Sequence, residues 1–175
     1  MSDPASSIAI RLAAEADVTA LARLGATTFI ETFGHLYSRE NLDAFVKESH
    51  ATETYEALIH DPRCQLWLAE ASGEPVAYAV AGPCGLPVKQ PGAFDGELKR
   101  LYVARAYQNA GLGQQLLEPA LAWLKQHFNP VYISVYAENY GAQRLYQRFG
   151  FVEHGRYEFM VGDHADPELM LVLAS

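Results

Sequence analysis

Two cysteines and six histidines in 175 residues leave little from which to build a disulfide framework or a metal site. Cys64 precedes an apolar run and reads as a buried or strand-start thiol, while Cys84 sits in the turn-rich run Gly82-Pro83-Cys84-Gly85. The histidines lack the His-Glu-x-x-His spacing of a helical zinc site, so no metal is expected. Basic residues are also scarce, with 13 Lys and Arg against 21 Asp and Glu, a formal net charge of −8. No basic stripe exists to neutralise phosphates, which argues against a nucleic-acid partner. No apolar run approaches the ~20 residues of a membrane span. Residues 1–7 read as a flexible polar tail without the pattern of a signal peptide, so the cytoplasm is the expected location. A Gly-x-Ser-x-Gly elbow is missing as well, which leaves serine hydrolase chemistry without support.

What is present suits a globular enzyme. Half of the residues are hydrophobic and only 19% are charged, and the length fits one domain, expected over 8–175. A first strand is predicted at 8–12. Asp17 is positioned to cap a helix bearing Val18, Leu21, Ala22, Phe29 and Phe33, which Gly25 interrupts. Ser38 and Thr52 are expected to cap two further helices, and Asp61-Pro62 to stop the second of these. Strands at 65–70 and 75–81 flank Ser72-Gly73, a hairpin signal. The Gly/Pro-rich 82–96 reads as a long loop, either functional or a surface excursion. Strands follow at 96–103, 131–136, 151–161 and 169–173, with helices from Gly111 and over 140–148. Pro119 is expected to kink or loosen the helix that contains it.

The most informative stretch is Gln108-Asn109-Ala110-Gly111-Leu112-Gly113, between the strand 97–103 and an amphipathic helix expected to bear Leu112, Leu116, Leu117, Ala120, Leu121, Leu124 and Phe128. Two glycines at a helix start let the backbone approach a ligand closely. The first helical N–H groups lack internal partners and carry the positive end of the dipole, which suits a phosphate or pyrophosphate. An ordinary strand-to-helix turn would look the same from these glycines alone. Two phosphate loops are excluded. Gln114 and Gln115 stand where a Walker loop needs Lys and Ser or Thr, and Leu116 stands where a dinucleotide fingerprint needs its third glycine.

Leu101-Tyr102-Val103 followed by Tyr107-Gln108-Asn109-Ala110-Gly111-Leu112-Gly113 resembles the Gln/Arg-x-x-Gly-x-Gly/Ala signature of the GNAT N-acetyltransferase superfamily. Downstream, Asn139-Tyr140-Gly141-Ala142-Gln143-Arg144-Leu145-Tyr146-Gln147-Arg148-Phe149-Gly150-Phe151 is similar to its Asn-x-x-Ala-x-x-Leu-Tyr-x-x-x-Gly-Phe motif at every named position. Arg105 departs from a frequent Pro, which affects loop rigidity. The resemblance implies an α/β (α+β mixed) GNAT fold. Its centre would be a twisted, mixed, mostly antiparallel sheet of six or seven strands, with helices on both faces. It implies acetyl-CoA as co-substrate, held by Leu101, Tyr102, Val103, Gln108, Asn109, Ala110, Gly111, Leu112, Gly113, Asn139 and Tyr146. Asn139 would also serve as a helix N-cap.

Direct acetyl transfer in a ternary complex needs a free amine, a stabilised oxyanion and a proton for the departing thiolate. A main-chain N–H on the strand 101–103 is the candidate oxyanion donor, a contribution of about 10²–10³ in rate. The resemblance puts Tyr146 beside the sulfur, where a phenol of pKa about 10 is protonated and can serve a thiolate whose thiol has pKa about 8.5. A packing role for that ring is the alternative. Glu97 is the leading candidate base, and counting by twos from Leu101 puts Lys99 and Glu97 on its face unless a bulge intervenes. A solvated strand-end charge is the competing reading. Other members carry a Glu on the next strand, where this chain has Ser134, which cannot act as that base; Glu138 and Tyr136 are weaker alternatives.

The acceptor is read as a small-molecule primary amine. Residues 28–34 and 159–166, with Leu169 and Met170, resemble the PaiA-like polyamine acetyltransferase branch, and Glu31, Asp163 and Asp166 are candidate contacts for a cation. A protein or peptide N-acetyltransferase and a non-catalytic acyl-CoA-binding sensor are the rival readings. A homodimer is among the admissible assemblies.

Overall fold

A computed structural model describes residues 8–173, so the tail expected at 1–7 lies outside the described residues. Seven strands run through them: β1 (Ile8–Leu12), β2 (Gln65–Ala71), β3 (Glu74–Pro83), β4 (Gly96–Val103), β5 (Val131–Tyr136), β6 (Val152–Val161) and β7 (His164–Leu173). They form one sheet in the order β1-β2-β3-β4-β5-β7-β6, antiparallel throughout except for the parallel pair β4–β5. The helices are α1 (Val18–Phe33), α2 (Arg39–Ser49), α3 (Thr52–His60), α4 (Leu112–His127) and α5 (Tyr140–Arg148). This is the mixed, mostly antiparallel architecture that the resemblance implied.

Side-chain alternation on β3 explains the layering. Ala77, Ala79 and Ala81 face α4, and their small size lets its leucines close on the sheet. Tyr78 and Val80 point the other way, against α1 and α3. Five leucines of α4 and Ala120 are buried, and full burial of each leucine is worth about 1.5–3 kcal/mol. Helices therefore cover both faces. The β2–β3 hairpin turns at Ser72 and Gly73, both at positive φ (52° and 81°), as a tight two-residue hairpin requires.

Several local expectations are corrected. Gly25 does not interrupt α1; a Cβ there would overlap the Tyr55 hydroxyl, so glycine serves packing against α3. The Asp17 side chain does not cap α1. Its Oδ2 accepts the Ala14 N–H at 2.7 Å and pairs with Arg11, closing a 3-10 turn that precedes the helix. Ser38 does cap α2, through the Asn41 N–H at 3.1 Å, whereas Thr52 lies inside α3 and Ala51 holds the cap position. Pro119 leaves α4 continuous at the cost of one backbone donor. The 82–96 segment is anchored at Val88, buried against Tyr132 and Met170, while residues 89–94 stay exposed. Among the described residues, no helix is long and apolar enough to cross a membrane.

Candidate active site

The site is built where two strands part. β4 pairs with β5 only through Gly96, Glu97 and Leu98, and from residue 99 onward that edge of β4 has no strand beside it. On the other side, the register with β3 jumps from Val80–Arg100 to Ala81–Leu98, leaving Lys99 as a bulged residue. The bulge reverses the alternation. Leu101 packs toward α4, while Glu97, Lys99, Arg100 and Tyr102 line a cleft on the α1 side. Glu97 and Lys99 thus share a face with each other but not with Leu101, against the count by twos.

One cleft, of about 850 Å³, opens between the parted strands and the start of α4. Asn109 and Gly111 take positive φ (65° and 81°), which turns the chain sharply into the helix. The first α4 bond is the Gln115 N–H to the Gly111 carbonyl at 3.1 Å, so the preceding N–H groups have no helical partner. A Cβ at Gly113 would meet only Leu145, at 3.7 Å, which leaves that backbone openly approachable. These features fit a pyrophosphate. Except for Ala110, every residue expected at the co-substrate lines this cleft. Asn139 caps α5, accepting the Ala142 N–H at 3.2 Å.

Tyr146 projects from α5 into the same cleft and is buried, which pushes its phenol above the usual value. Among the described residues its hydroxyl has no protein partner, and no fully buried polar side-chain atom is left unpaired. The hydroxyl therefore reaches the open space.

A second cleft, of about 690 Å³, lies on the α1 side and shares Lys99, Arg100, Tyr102 and Ser134 with the first. Its wall is aromatic, with Phe29 stacked on Phe45 at 4.7 Å and Phe45 edge-on to Phe159 at 5.6 Å. Arg100 donates to the Tyr55 hydroxyl at 2.7 Å and the Ser49 carbonyl at 3.0 Å, and no carboxylate pairs with it among the described residues. Burial and that guanidinium hold the neighbouring His50 down at about 3, so it is neutral. Glu97 opens on this cleft; its Oε1 accepts the Gly85 N–H at 2.9 Å and faces Lys99 Nζ at 3.4 Å.

The carboxylates expected to contact a cation are engaged elsewhere. Glu31 pairs with Arg105, Asp163 accepts from Asn41 at 2.6 Å, and buried Asp166 accepts the Tyr37 hydroxyl and meets His164. None of the three lines either cleft. The carboxylate that the sequence reading missed is Glu168. It lines the second cleft and accepts the Ser134 hydroxyl at 2.7 Å. Nothing local marks it, because its partners come from β5 and β6. Burial pushes both thiols up, so neither cysteine is set up as a nucleophile. Among the described residues, no group of three or more His, Cys, Asp or Glu is placed to hold a metal.

The sheet opens at its one parallel pair among the described residues, beside a helix that starts at glycine. The chain belongs to the acetyltransferase (GNAT) family, whose pattern matches residues 29–151, and it is an N-acetyltransferase. It is 23% identical over 161 residues to an uncharacterized N-acetyltransferase in the pepI 3'region of Lactobacillus delbrueckii subsp. lactis, covering 90% of this chain and 91% of that protein. A shorter match, 36% identical over 64 residues, joins it to the spermine/spermidine N(1)-acetyltransferase of Bacillus subtilis, spanning 35% of this chain and 42% of that one. Its fold is that of the PaiA N-acetyltransferase of Thermoplasma acidophilum solved with coenzyme A. There the TM-score is 0.74 at 20% identity, over 94% of this chain and 98% of the other.

Proposed function

We propose that the chain transfers the acetyl group of acetyl-CoA to a small primary amine, with a polyamine as the first acceptor to try. The observation that carries this reading is the meeting of the two clefts along β4, where the unpaired strand edge lies between them. Bound acetyl-CoA supplies the activated acyl carbon and a thiolate leaving group. The N-terminal turn of α4 holds its pyrophosphate, and the free edge of β4 pairs with the extended arm much as an added strand would. A β4 main-chain N–H beyond the bulge polarises the acyl oxygen.

Tyr146 gives its proton to the departing sulfur. Burial raises the phenol, and it raises a thiol in the same desolvated place as well, so the pair stays matched for transfer. Glu97 adds negative charge to the acceptor cleft and draws in an ammonium group. Aromatic walls favour an aliphatic cation, whose methylene chain they shield and whose charge they attract. The partial likeness to a spermine/spermidine acetyltransferase points to the same acceptor.

The test is free-thiol release from acetyl-CoA across a panel of polyamines, amino acids, peptides and protein N-termini. Spermidine or spermine should lead in kcat/KM. A peptide N-terminus leading by orders of magnitude would refute the polyamine assignment and leave acetyl transfer standing. Binding of acetyl-CoA without transfer to any amine would favour the sensor.

A further inference from the structure

The second cleft presents two carboxylates, Glu97 and Glu168, that differ in how they are partnered. Glu97 already faces an ammonium, that of Lys99. Glu168 forms no ion pair with a Lys or Arg among the described residues. It stands on β7 in register with Tyr136 of β5 and Tyr157 of β6. Its Oε2 accepts the Ser134 hydroxyl at 2.7 Å. That bond uses the only proton Ser134 has, so the Tyr157 hydroxyl, 2.7 Å from Ser134 Oγ, donates to it. Oε1 is left without a partner among the described residues. Because no fully buried side-chain oxygen is unpaired among the described residues, Oε1 opens on the cleft that Glu168 lines. Ser134 borders both clefts, so this carboxylate stands at their junction.

We infer that Glu168 is the catalytic base, its Oε1 taking a proton directly from the acceptor's ammonium group while Ser134 and Tyr157 hold the carboxylate in place. This rests on the amine-acetylating reading above. The N–H bond of the ammonium breaks and an O–H bond forms at Oε1, leaving the nitrogen lone pair free to attack the acyl carbon. As the amide forms, a second proton leaves the nitrogen for the open cleft, and the departing sulfur takes its proton from Tyr146. Glu168 then returns its proton to solvent. Tyr146 regains its proton from the cleft, so one alkylammonium ion and one thioester give one amide, one thiol and one released proton.

The electrostatic setting agrees. Burial pushes Glu168 up to about 7; the Ser134 hydrogen bond opposes that rise and the charge of Asp166 adds to it. The other titratable groups facing it are Tyr37, Tyr102, Tyr136 and Tyr157, from four different parts of the chain. All four phenols are raised and therefore neutral; among the charged groups Asp166 adds to the rise, and Glu97, Lys99 and Arg100 line the same cleft. A base near neutrality combines a large ionised fraction with useful proton affinity.

The experiment is the pH profile of kcat/KM with spermidine for the wild-type protein, Glu168→Gln, Glu97→Gln and Ser134→Ala. Wild-type kcat/KM should climb tenfold per pH unit and level near 7. Glu168→Gln should lose about a hundredfold or more at pH 7 and never level there, climbing instead toward the amine's own pKa of about 10. Its thermal stabilisation by coenzyme A should persist, which shows the fold and the first cleft intact. Ser134→Ala should move the levelling point to higher pH, because it loses a bond that favours the ionised carboxylate. Glu97→Gln should lower kcat/KM yet keep the levelling near 7. The inference is overturned if Glu168→Gln levels where the wild type does, if Ser134→Ala leaves that point unmoved, or if Glu97→Gln abolishes it. A wild-type protein that acetylates no amine at any pH overturns the functional reading and this inference together, and is recognised before any variant is made.

Discussion

The two clefts are made in opposite ways. The cofactor-side cleft is a backbone construction, whose main features are a freed strand edge, two glycines and the first turn of a helix, drawn largely from residues 98–146. The acceptor-side cleft is a side-chain construction, assembled from α1, α2, α3, β4, β5, β6 and β7, with its charges held by hydrogen bonds across the fold. Backbone is indifferent to most substitutions, so the first cleft is tied to a few special positions. The second can be rewritten one side chain at a time. A family can keep one donor and change acceptors on such a plan.

The comparison breaks most decisively at a glycine. Gly113→Val should abolish thermal stabilisation by coenzyme A, which for the wild type at a hundred times Kd amounts to about 2.7 kcal/mol. The position has ordinary φ and a Cβ would touch only Leu145, so the variant should remain folded; a normal shift in calorimetry would refute the pyrophosphate site. Gly111→Val should lose the shift as well, with added strain from its positive φ of 81°.

A smaller effect should come from the side chain that serves the donor. Tyr146→Phe is expected to lower kcat about tenfold or more with the coenzyme A Kd nearly unchanged. Unaltered turnover, with chemistry shown to be rate-limiting, would make this ring a packing residue.

On the acceptor side, Glu168→Gln should raise stability at pH 8 while lowering activity. The folded protein holds the Glu168 proton up to about 7, against an ordinary value of 4.5 for the unfolded chain. The folded state therefore binds more protons between those values, and stability falls as pH rises through that window. Glutamine removes the penalty, so Tm should rise by a few degrees at pH 8 and change little at pH 4. A lower Tm at pH 8 would mean that Glu168 is a structural partner of Ser134. The mildest effect is that of salt: kcat/KM for a polyamine should fall several-fold between low and high ionic strength, as steering by an acidic protein is screened. No salt dependence would favour a neutral acceptor.

Legibility in the sequence follows the same division. The loop at 108–113 and the run at 139–151 are contiguous, so spacing alone showed a helix start, a cap and a leucine-faced helix. Ser38, Asn139 and the Ser72-Gly73 turn act through neighbours a few residues away, and all three were readable. Long-range requirements were not. Gly25 reads as a helix breaker until Tyr55 is known to press on it. β7 begins at His164 and not at 169, because its charged start and Pro167 look unlike a central strand. Its start is paired with β6 from Val161–His164 onward, and Asp166 is buried against Tyr37 and His164. Glu168 sits in that same misread segment, next to Pro167, and its bond to Ser134 spans 34 residues.

The bulge at Lys99 has a consequence for how such a chain can vary in length. Surface turns such as Ser72-Gly73 can gain or lose a residue without altering what faces the core. β4 has that freedom at one place only. Glu97, Arg100 and Tyr102 face the α1 side and Leu98, Leu101 and Val103 face α4, so Lys99 is the residue out of step. Deleting Lys99 would restore regular alternation and leave every other side chain on its present face. Deleting Leu101 instead would turn either Arg100 or Tyr102 against the leucines of α4. A three-nucleotide deletion at Lys99 should therefore survive in a library selected for folding, while one at Leu101 should be lost. The strand that joins donor to acceptor carries its one spare residue at the junction.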